Sequence, residues 1–144
     1  MIVLREAWDV HADFFRSEGE KYGPGTWALL DLASRITATE YRDALAHSDR
    51  VTAGFGRAFA LADVLAGPTM AYVAPPEDPP FGTPEGDVEA RFTGPCNLAR
   101  VPAVTLPCGA AEDGLPAALQ LMAPADRDPF LLSVAATYEA VAPR

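Results

Sequence analysis

The chain has 144 residues, of which 49% are hydrophobic, and a formal net charge of −9. This length fits one globular domain that buries roughly two thirds of its unfolded surface. The acidic balance, without a lysine and arginine cluster, argues against nucleic-acid binding through phosphate contacts. Apolar runs stay far below the ~20 residues of a membrane helix, and the first residues lack a signal-peptide pattern. We therefore expect a cytoplasmic protein without a membrane partner.

Two helices are predicted at the start of the chain. The first carries apolar side chains from Val3 to Phe15 over a wide arc of its surface, so other parts of the protein are expected to cover it. No capping residue precedes it. A Gly-Pro-Gly sequence then breaks the pattern. The second helix is predicted from Trp27 to Ile36.

A third helix begins at a capping box, in which Thr37 and Glu40 satisfy each other's backbone amides. Its apolar face continues to about Ala60. Gly54 and Gly56 each weaken it by about 1 kcal/mol relative to alanine, so packing has to compensate.

A short strand and a proline-rich loop follow in residues 61–91. The run Asp63–Ala66 predicts a buried strand that ends at Gly67-Pro68. Six of the chain's 14 prolines lie in residues 68–84, which excludes regular structure and predicts a polyproline-like surface loop. The loop is interpreted as a connection, with an active-site lid as the alternative.

Residues 92–144 predict a short helix or turn, two strands and a final helix. The strands are Ala103–Cys108 and Leu115–Met122, joined by a glycine-bounded acidic loop. Apolar side chains fall on both faces of each strand, which indicates strands covered on both sides. The last helix begins at Asp128, with a proline in its first turn.

The residues alone identify no catalytic site. His11 and His47 lack metal-ligand spacing, and Cys96 and Cys108 have no nearby cation and are interpreted as small buried hydrophobes. The four serines lie in helical contexts, outside a nucleophile elbow or a serine pair. Neither a metal nor a cofactor is predicted. At this level the chain is a soluble α/β domain.

Short motifs nevertheless stand in a fixed order along the whole chain. They are Glu6-Ala7, His11, Tyr22-Gly23, Tyr41, Arg50, Asp63-Val64-Leu65, Gly67-Pro68-Thr69, Phe92-Thr93, Pro95, Asn97-Leu98-Ala99, Pro102-Ala103, Leu106-Pro107-Cys108-Gly109, Gly114-Leu115-Pro116 and Leu119-Gln120. In this order they resemble the C-terminal third of amidase-signature enzymes, the family of bacterial amidases and the A subunit of glutamyl-tRNA amidotransferase. Arg100 and Ala118 depart from it by standing where the family usually has glycine, and Asp128 by replacing the usual glutamate.

The resemblance implies an α/β fold with helices packed on a small mixed sheet, a C-terminal fragment of the family's α/β/α sandwich. It implies one partial domain over residues 1–144: mostly helical in 1–60, a strand and proline-rich loop in 61–91, and strand, loop, strand and helix in 92–144. It also implies a substrate-pocket wall formed by Thr69, Met70, Phe92, Thr93 and Asn97. Packing and turn roles are the alternative for each of these five residues.

The family hydrolyses amides with a Lys–Ser–Ser triad located in its N-terminal half. This chain has one lysine, Lys21, and no Ser-Ser pair, so no catalytic residue is assigned. The resemblance implies the C-terminal portion of an amide hydrolase that is inactive alone. It would pair with a separately encoded N-terminal half or self-associate through exposed apolar surface. A non-catalytic module that binds small molecules, and a freestanding hydrolase with an unrelated site, remain alternatives.

Overall fold

A computed structural model describes residues 1–77, 79 and 88–142. The elements in chain order are α1 (Ile2–Glu18), a 3₁₀ turn (Gly19–Lys21), α2 (Pro24–Ser34), α3 (Ala38–Phe59), β1 (Leu65–Pro68), α4 (Gly94–Ala99), β2 (Ala103–Ala110), β3 (Pro116–Met122) and α5 (Asp128–Glu139). The chain divides into two compact units, Met1–Asp49 and Arg50–Arg144. The single domain predicted over residues 1–144 stays a prediction.

In the first unit, α1 packs against α2 through aromatic side chains. The Phe15 ring lies 5.6 Å from that of Trp8 and 5.5 Å from that of Trp27, measured between centroids. Val3 and Val10, on the α1 face predicted to need heavy cover, remain 76% and 79% exposed. The described residues therefore cover only part of the apolar surface of α1.

The predicted capping box at the start of α3 is confirmed. The Thr37 amide donates to Glu40 Oε2 at 2.8 Å, and the Glu40 amide donates to Thr37 Oγ1 at 3.2 Å. Helix α3 follows directly and ends at Phe59, one residue before the predicted end. The reciprocal bonds satisfy two amides that a helix start leaves without partners.

Replacing Thr37 with alanine is expected to lower the free energy of unfolding by about 1 kcal/mol, because α3 loses its cap. The Thr37 amide, and then its hydroxyl, hold the pKa of Glu40 below its usual 4.5. The charged cap therefore stabilises the chain above pH 4.5 and is lost as pH falls through the lowered pKa. Urea denaturation at pH 7 and at acidic pH measures both effects. Thr39→Ala is the control, and an equal loss there would contradict a cap-specific role.

The second unit contains a three-stranded sheet with the order β1-β3-β2, so the central strand is the last in sequence. Both pairings are antiparallel, so a mixed sheet was wrong for the described strands. For β2 and β3 the reason is the hairpin that joins them, since Gly109 near the end of β2 and Gly114 just before β3 adopt positive φ and let the chain reverse.

Strand β1 begins at Leu65 and includes Gly67 and Pro68, which were predicted to end it. Proline is tolerated there because β1 is an edge strand of the described sheet. Residues 69–77 contain no helix or strand, as expected for the proline-rich loop. The remainder of that predicted loop, apart from Pro79, lies outside the described residues.

The core lies between α5 and one face of the sheet. Its buried members are Leu106, Leu121, Ala123, Leu131 and Ala135. The opposite face is open along β2, where every second residue from Ala103 to Pro107 is exposed. The prediction that β2 is covered on both sides is therefore wrong for this chain, although α5 begins at Asp128 as predicted.

Helix α4 ends at Arg100, which adopts the left-handed conformation with φ 54° and ψ 41°. Glycine is favoured at such helix ends because a side chain there approaches the following carbonyl. Arg100 stands where the resemblance implies glycine, and its backbone conformation favours glycine. Ala118, the other departure, lies in β3 opposite Pro107 with ordinary strand geometry.

Arg100→Gly is expected to raise the free energy of unfolding by about 1 kcal/mol, since glycine adopts positive φ without the Cβ penalty. Arg100→Ala retains Cβ and should give no such gain. Chemical denaturation of both variants and the parent chain measures the difference. Equal stabilisation by the two would show that the guanidinium, and not the backbone conformation, carries the cost.

Candidate functional site

The five residues implied for the pocket wall lie at two places in the second unit. Thr69 and Met70 follow β1 directly, and Phe92, Thr93 and Asn97 lie at the start of α4. Asn97 donates from both its backbone and side-chain amides to the Thr93 carbonyl, each at 3.4 Å. Its side chain therefore stabilises the first turn of the helix.

Hydrogen bonds across the open face of the sheet connect these two places. The Thr69 amide donates to the Ala118 carbonyl at 3.2 Å, and Thr69 Oγ1 donates to Thr105 Oγ1 at 3.3 Å. Thr105 pairs with Gln120 in register, so both side chains share this face. Gln120 Nε2 then donates to the Phe92 carbonyl at 3.1 Å. Thr69 and the Phe92 carbonyl thus lie on the same side of the sheet.

Gln120 is a residue of this site that was not predicted from the sequence. It is 3% exposed and is the one buried polar residue among those that the structure describes. A glutamine inside an otherwise apolar strand was the available signal, because buried amides require a hydrogen-bond partner. Its partner lies 28 residues earlier in the chain.

A cavity of about 280 Å³ lies between residues 70–74 and residues 116–118. Met70 is the one predicted wall residue that lines it. The Tyr72 hydroxyl is buried. Burial raises the pKa of Tyr72, and the neighbouring Glu89 carboxylate raises it further. Tyr72 was not singled out from the sequence.

The side chains that could serve as nucleophiles are occupied elsewhere. Lys21 forms an exposed ion pair with Glu18. The Ser17, Ser34 and Ser133 hydroxyls donate to carbonyls of their own helices. In the described part of the chain, Lys21 and these three serines do not bond to one another.

The two cysteines differ in burial. Cys96 is buried, as predicted, and burial raises its pKa, which favours the neutral form. Cys108 is half-buried. Within residues 1–77, 79 and 88–142, no three His, Cys, Asp or Glu side chains are placed to hold a metal. No helix in those ranges is both long and apolar enough to cross a bilayer.

The Amidase family model matches residues 4–132, which includes the whole described sheet and the start of α5. This chain belongs to the amidase family. It is 32% identical to an amidase of Pseudomonas putida over 145 aligned residues, which cover 96% of this chain and 31% of that protein. It is also 45% identical over 93 residues to the A subunit of the Renibacterium salmoninarum glutamyl-tRNA(Gln) amidotransferase, covering 60% of this chain and 17% of that protein.

Solved amidases share the fold. One amidase crystal structure superposes with a TM-score of 0.79 at 25% identity, covering 98% of this chain and 34% of that one. A bacterial aryl acylamidase of the amidase-signature family superposes with a TM-score of 0.75 at 15% identity. The predicted family and α/β class are therefore confirmed. The chain spans at most about a third of the length of these amidase relatives.

Proposed function

We propose that this chain forms the C-terminal part of an amide hydrolase and is inactive without the part that carries the Lys–Ser–Ser triad. The observation that carries the proposal is one of length: the alignment with the Pseudomonas putida amidase covers 96% of this chain and 31% of that protein. Two further observations support it: Lys21 is engaged in an ion pair with Glu18, and three serine hydroxyls donate to carbonyls of their own helices. The reaction would be hydrolysis of a carbon–nitrogen bond other than a peptide bond, in the cytoplasm.

Exposed apolar side chains support a partner for this chain. Val3 and Val10 on α1 and Leu61 after α3 are 76%, 79% and 91% exposed. Trp27, at 44%, adds a large aromatic surface. Large apolar side chains that are exposed in this way favour association with a further polypeptide. We propose a complementary N-terminal amidase part as that partner, with self-association as the alternative.

The small amide substrate would contact the open face of the sheet near Thr69, Met70, Phe92, Thr93 and Asn97. The hydrogen bonds of Thr105 and Gln120 support this assignment. They attach Thr69 and the Phe92 carbonyl to neighbouring strands of the same sheet. A wall fixed to the sheet by hydrogen bonds would keep a substrate in a defined position, which is a main source of catalytic rate.

The experiment is co-expression of the chain with the Pseudomonas putida amidase shortened by the region that matches this chain. We expect the two polypeptides to co-purify and to release ammonia from a simple aromatic amide such as benzamide. The same shortened partner with its nucleophilic serine replaced by alanine is the control. Ammonia release by this chain alone, or a failure to co-purify, would contradict the proposal.

A second candidate function is a non-catalytic module that binds small molecules. The cavity beside Met70 favours it, since all the residues that line the cavity belong to this chain. Calorimetry of the isolated chain with a panel of amides tests it, and the absence of heat with every amide would reject it.

A further inference from the structure

We propose that an exposed face of α1 binds an amphipathic helix of a partner, whose apolar side chains are flanked by lysine or arginine. This face, called the α1 stripe, consists of Val3, Ala7, Val10, Phe14 and Ser17. The binding rests on the proposed function in one respect, that this chain works together with a further polypeptide. It deepens that function by specifying the surface and the chemistry of the contact.

The spacing of the α1 stripe is that of a helix that packs along another helix. Its members follow one another at alternating intervals of four and three residues. Val3, Val10 and Ser17 thus occupy d positions of a heptad, and Ala7 and Phe14 occupy a positions. Side chains at a and d insert between the side chains of a second, aligned helix. The partner element that fits the stripe is therefore a helix.

The α1 stripe is separate from the face through which α1 packs on α2. That other face carries Trp8 and Phe15, and the Phe15 ring lies 5.5 Å from the Trp27 ring of α2. With 3.6 residues per turn, the two faces are centred about 130° apart around the helix axis. Helix α1 therefore has an apolar face besides the one that α2 uses.

The described residues leave most of the α1 stripe open. None of the 17 residues of α1 is buried, and Val3 and Val10 are more than three-quarters exposed. Phe14 is partly covered, because the Tyr22 ring lies 5.5 Å from its own ring. A preformed helix with a row of exposed apolar side chains is a surface on which an amphipathic helix binds at low ordering cost.

Acidic side chains along one flank of the α1 stripe determine the charge of the partner. Glu6 and Asp13 lie one heptad apart at g positions, from which side chains contact charges of the opposite helix. The Tyr41 hydroxyl donates to Glu6 Oε1 at 3.0 Å and holds that carboxylate in place. Asp13 pairs with Arg16 at 3.0 Å, but its side chain is fully exposed, so a lysine of the partner can reach it too.

A second copy of this chain fits the α1 stripe less well than a basic helix does. Two α1 helices in contact would bring their acidic flanks together, and each chain carries a net charge of −9. Like charges at flanking positions oppose pairing. An anionic membrane surface would meet the same repulsion. Charge complementarity therefore favours a partner helix with lysine or arginine beside its apolar side chains.

Two synthetic peptides and the intact chain provide the test. Both peptides carry leucine at a and d over about three heptads, and they differ at e and g, where one has lysine and the other glutamate. We expect calorimetry to show binding of the lysine peptide and at least about tenfold weaker binding of the glutamate peptide. A lysine peptide of the same composition in scrambled order is the control for net charge, and it should not bind.

Val10→Asp tests where the lysine peptide binds. The substitution should weaken its binding at least about tenfold, because a carboxylate would be buried against leucine in the complex. Val10 is exposed, so the thermal midpoint of the free chain should stay the same. Leu132→Asp is the matched control, since it introduces the same charge at an exposed apolar residue of α5. It should leave binding unchanged.

Asp13→Asn tests the contribution of the acidic flank. Loss of one exposed ion pair with the peptide should weaken binding of the lysine peptide about threefold. Glu112→Gln removes one charge from the exposed loop between β2 and β3 and is the control for net charge. It should leave binding unchanged.

Four results would overturn the assignment of the α1 stripe. They are no binding of the lysine peptide, equal binding of the glutamate or scrambled peptide, unchanged binding by Val10→Asp, and a dimer of the free chain that Val10→Asp dissociates. The last result would assign the stripe to a second copy.

The proposed function fails separately from this assignment. If the co-expressed pair releases ammonia but the lysine peptide does not bind, the α1 assignment is wrong and the hydrolase assignment stands. If the lysine peptide binds through Val10 and the pair neither co-purifies nor releases ammonia, the reverse holds.

Discussion

Replacing Leu131 with alanine is expected to lower the free energy of unfolding by about 3 kcal/mol. Leu131 is 2% exposed and belongs to the core between α5 and the sheet, together with Leu106 and Leu121. Alanine would remove buried apolar surface and leave a cavity that the paired strands cannot close by moving inward. Urea denaturation followed by circular dichroism measures the loss.

The adjacent leucine provides the control. Leu132 lies in the same turn of α5 but is 61% exposed, so Leu132→Ala should change stability by less than about 0.5 kcal/mol. Both variants have the same helix propensity, so the comparison isolates burial. Similar losses in the two variants would mean that α5 does not pack on the sheet through Leu131.

Gln120→Leu is expected to lower the free energy of unfolding by about 2 kcal/mol, even though leucine is apolar and similar in size. Gln120 Nε2 donates to the Phe92 carbonyl at 3.1 Å. Among the described residues, the substitution leaves that carbonyl a long contact from Cys96 Sγ at 3.8 Å. The start of α4 would also lose its side-chain bond to β3. Hydrogen exchange at the Asn97 amide, which donates to the Thr93 carbonyl, should therefore become faster.

Thr105→Val is the matched change for Gln120→Leu. Thr105 pairs with Gln120 on the same sheet face, but it is exposed and its bond to Thr69 can be replaced by water. We expect a loss of about 0.5 kcal/mol and unchanged exchange at Asn97. If Thr105→Val cost as much as Gln120→Leu, burial of the glutamine would not be the cause.

Features encoded by neighbouring residues were predictable from the sequence. The capping box needs only Thr37 and Glu40 at a spacing of three, and α5 needs only Asp128 followed by a proline. Strands β2 and β3 were visible as apolar runs of strand length. In each case the stabilising groups lie within one turn or one strand.

Features that depend on distant partners were not predictable in this way. The apolar runs did not show that β2 has one open face, because that depends on what lies beside it in the fold. The partner of Gln120, the Phe92 carbonyl, lies 28 residues earlier in the chain. The family resemblance supplied the wall residues, but not the side chains that hold them or line the cavity beside them.

The central position of β3 determines the order in which this sheet can assemble. During synthesis, β1 and β2 both leave the ribosome before the strand with which each pairs. The β2–β3 hairpin closes a short loop and can form as soon as residues 116–122 emerge. Docking of β1 closes a far longer loop and therefore comes later. Until β1 docks, β1 and the free edge of β3 present unsatisfied backbone groups to whatever binds them.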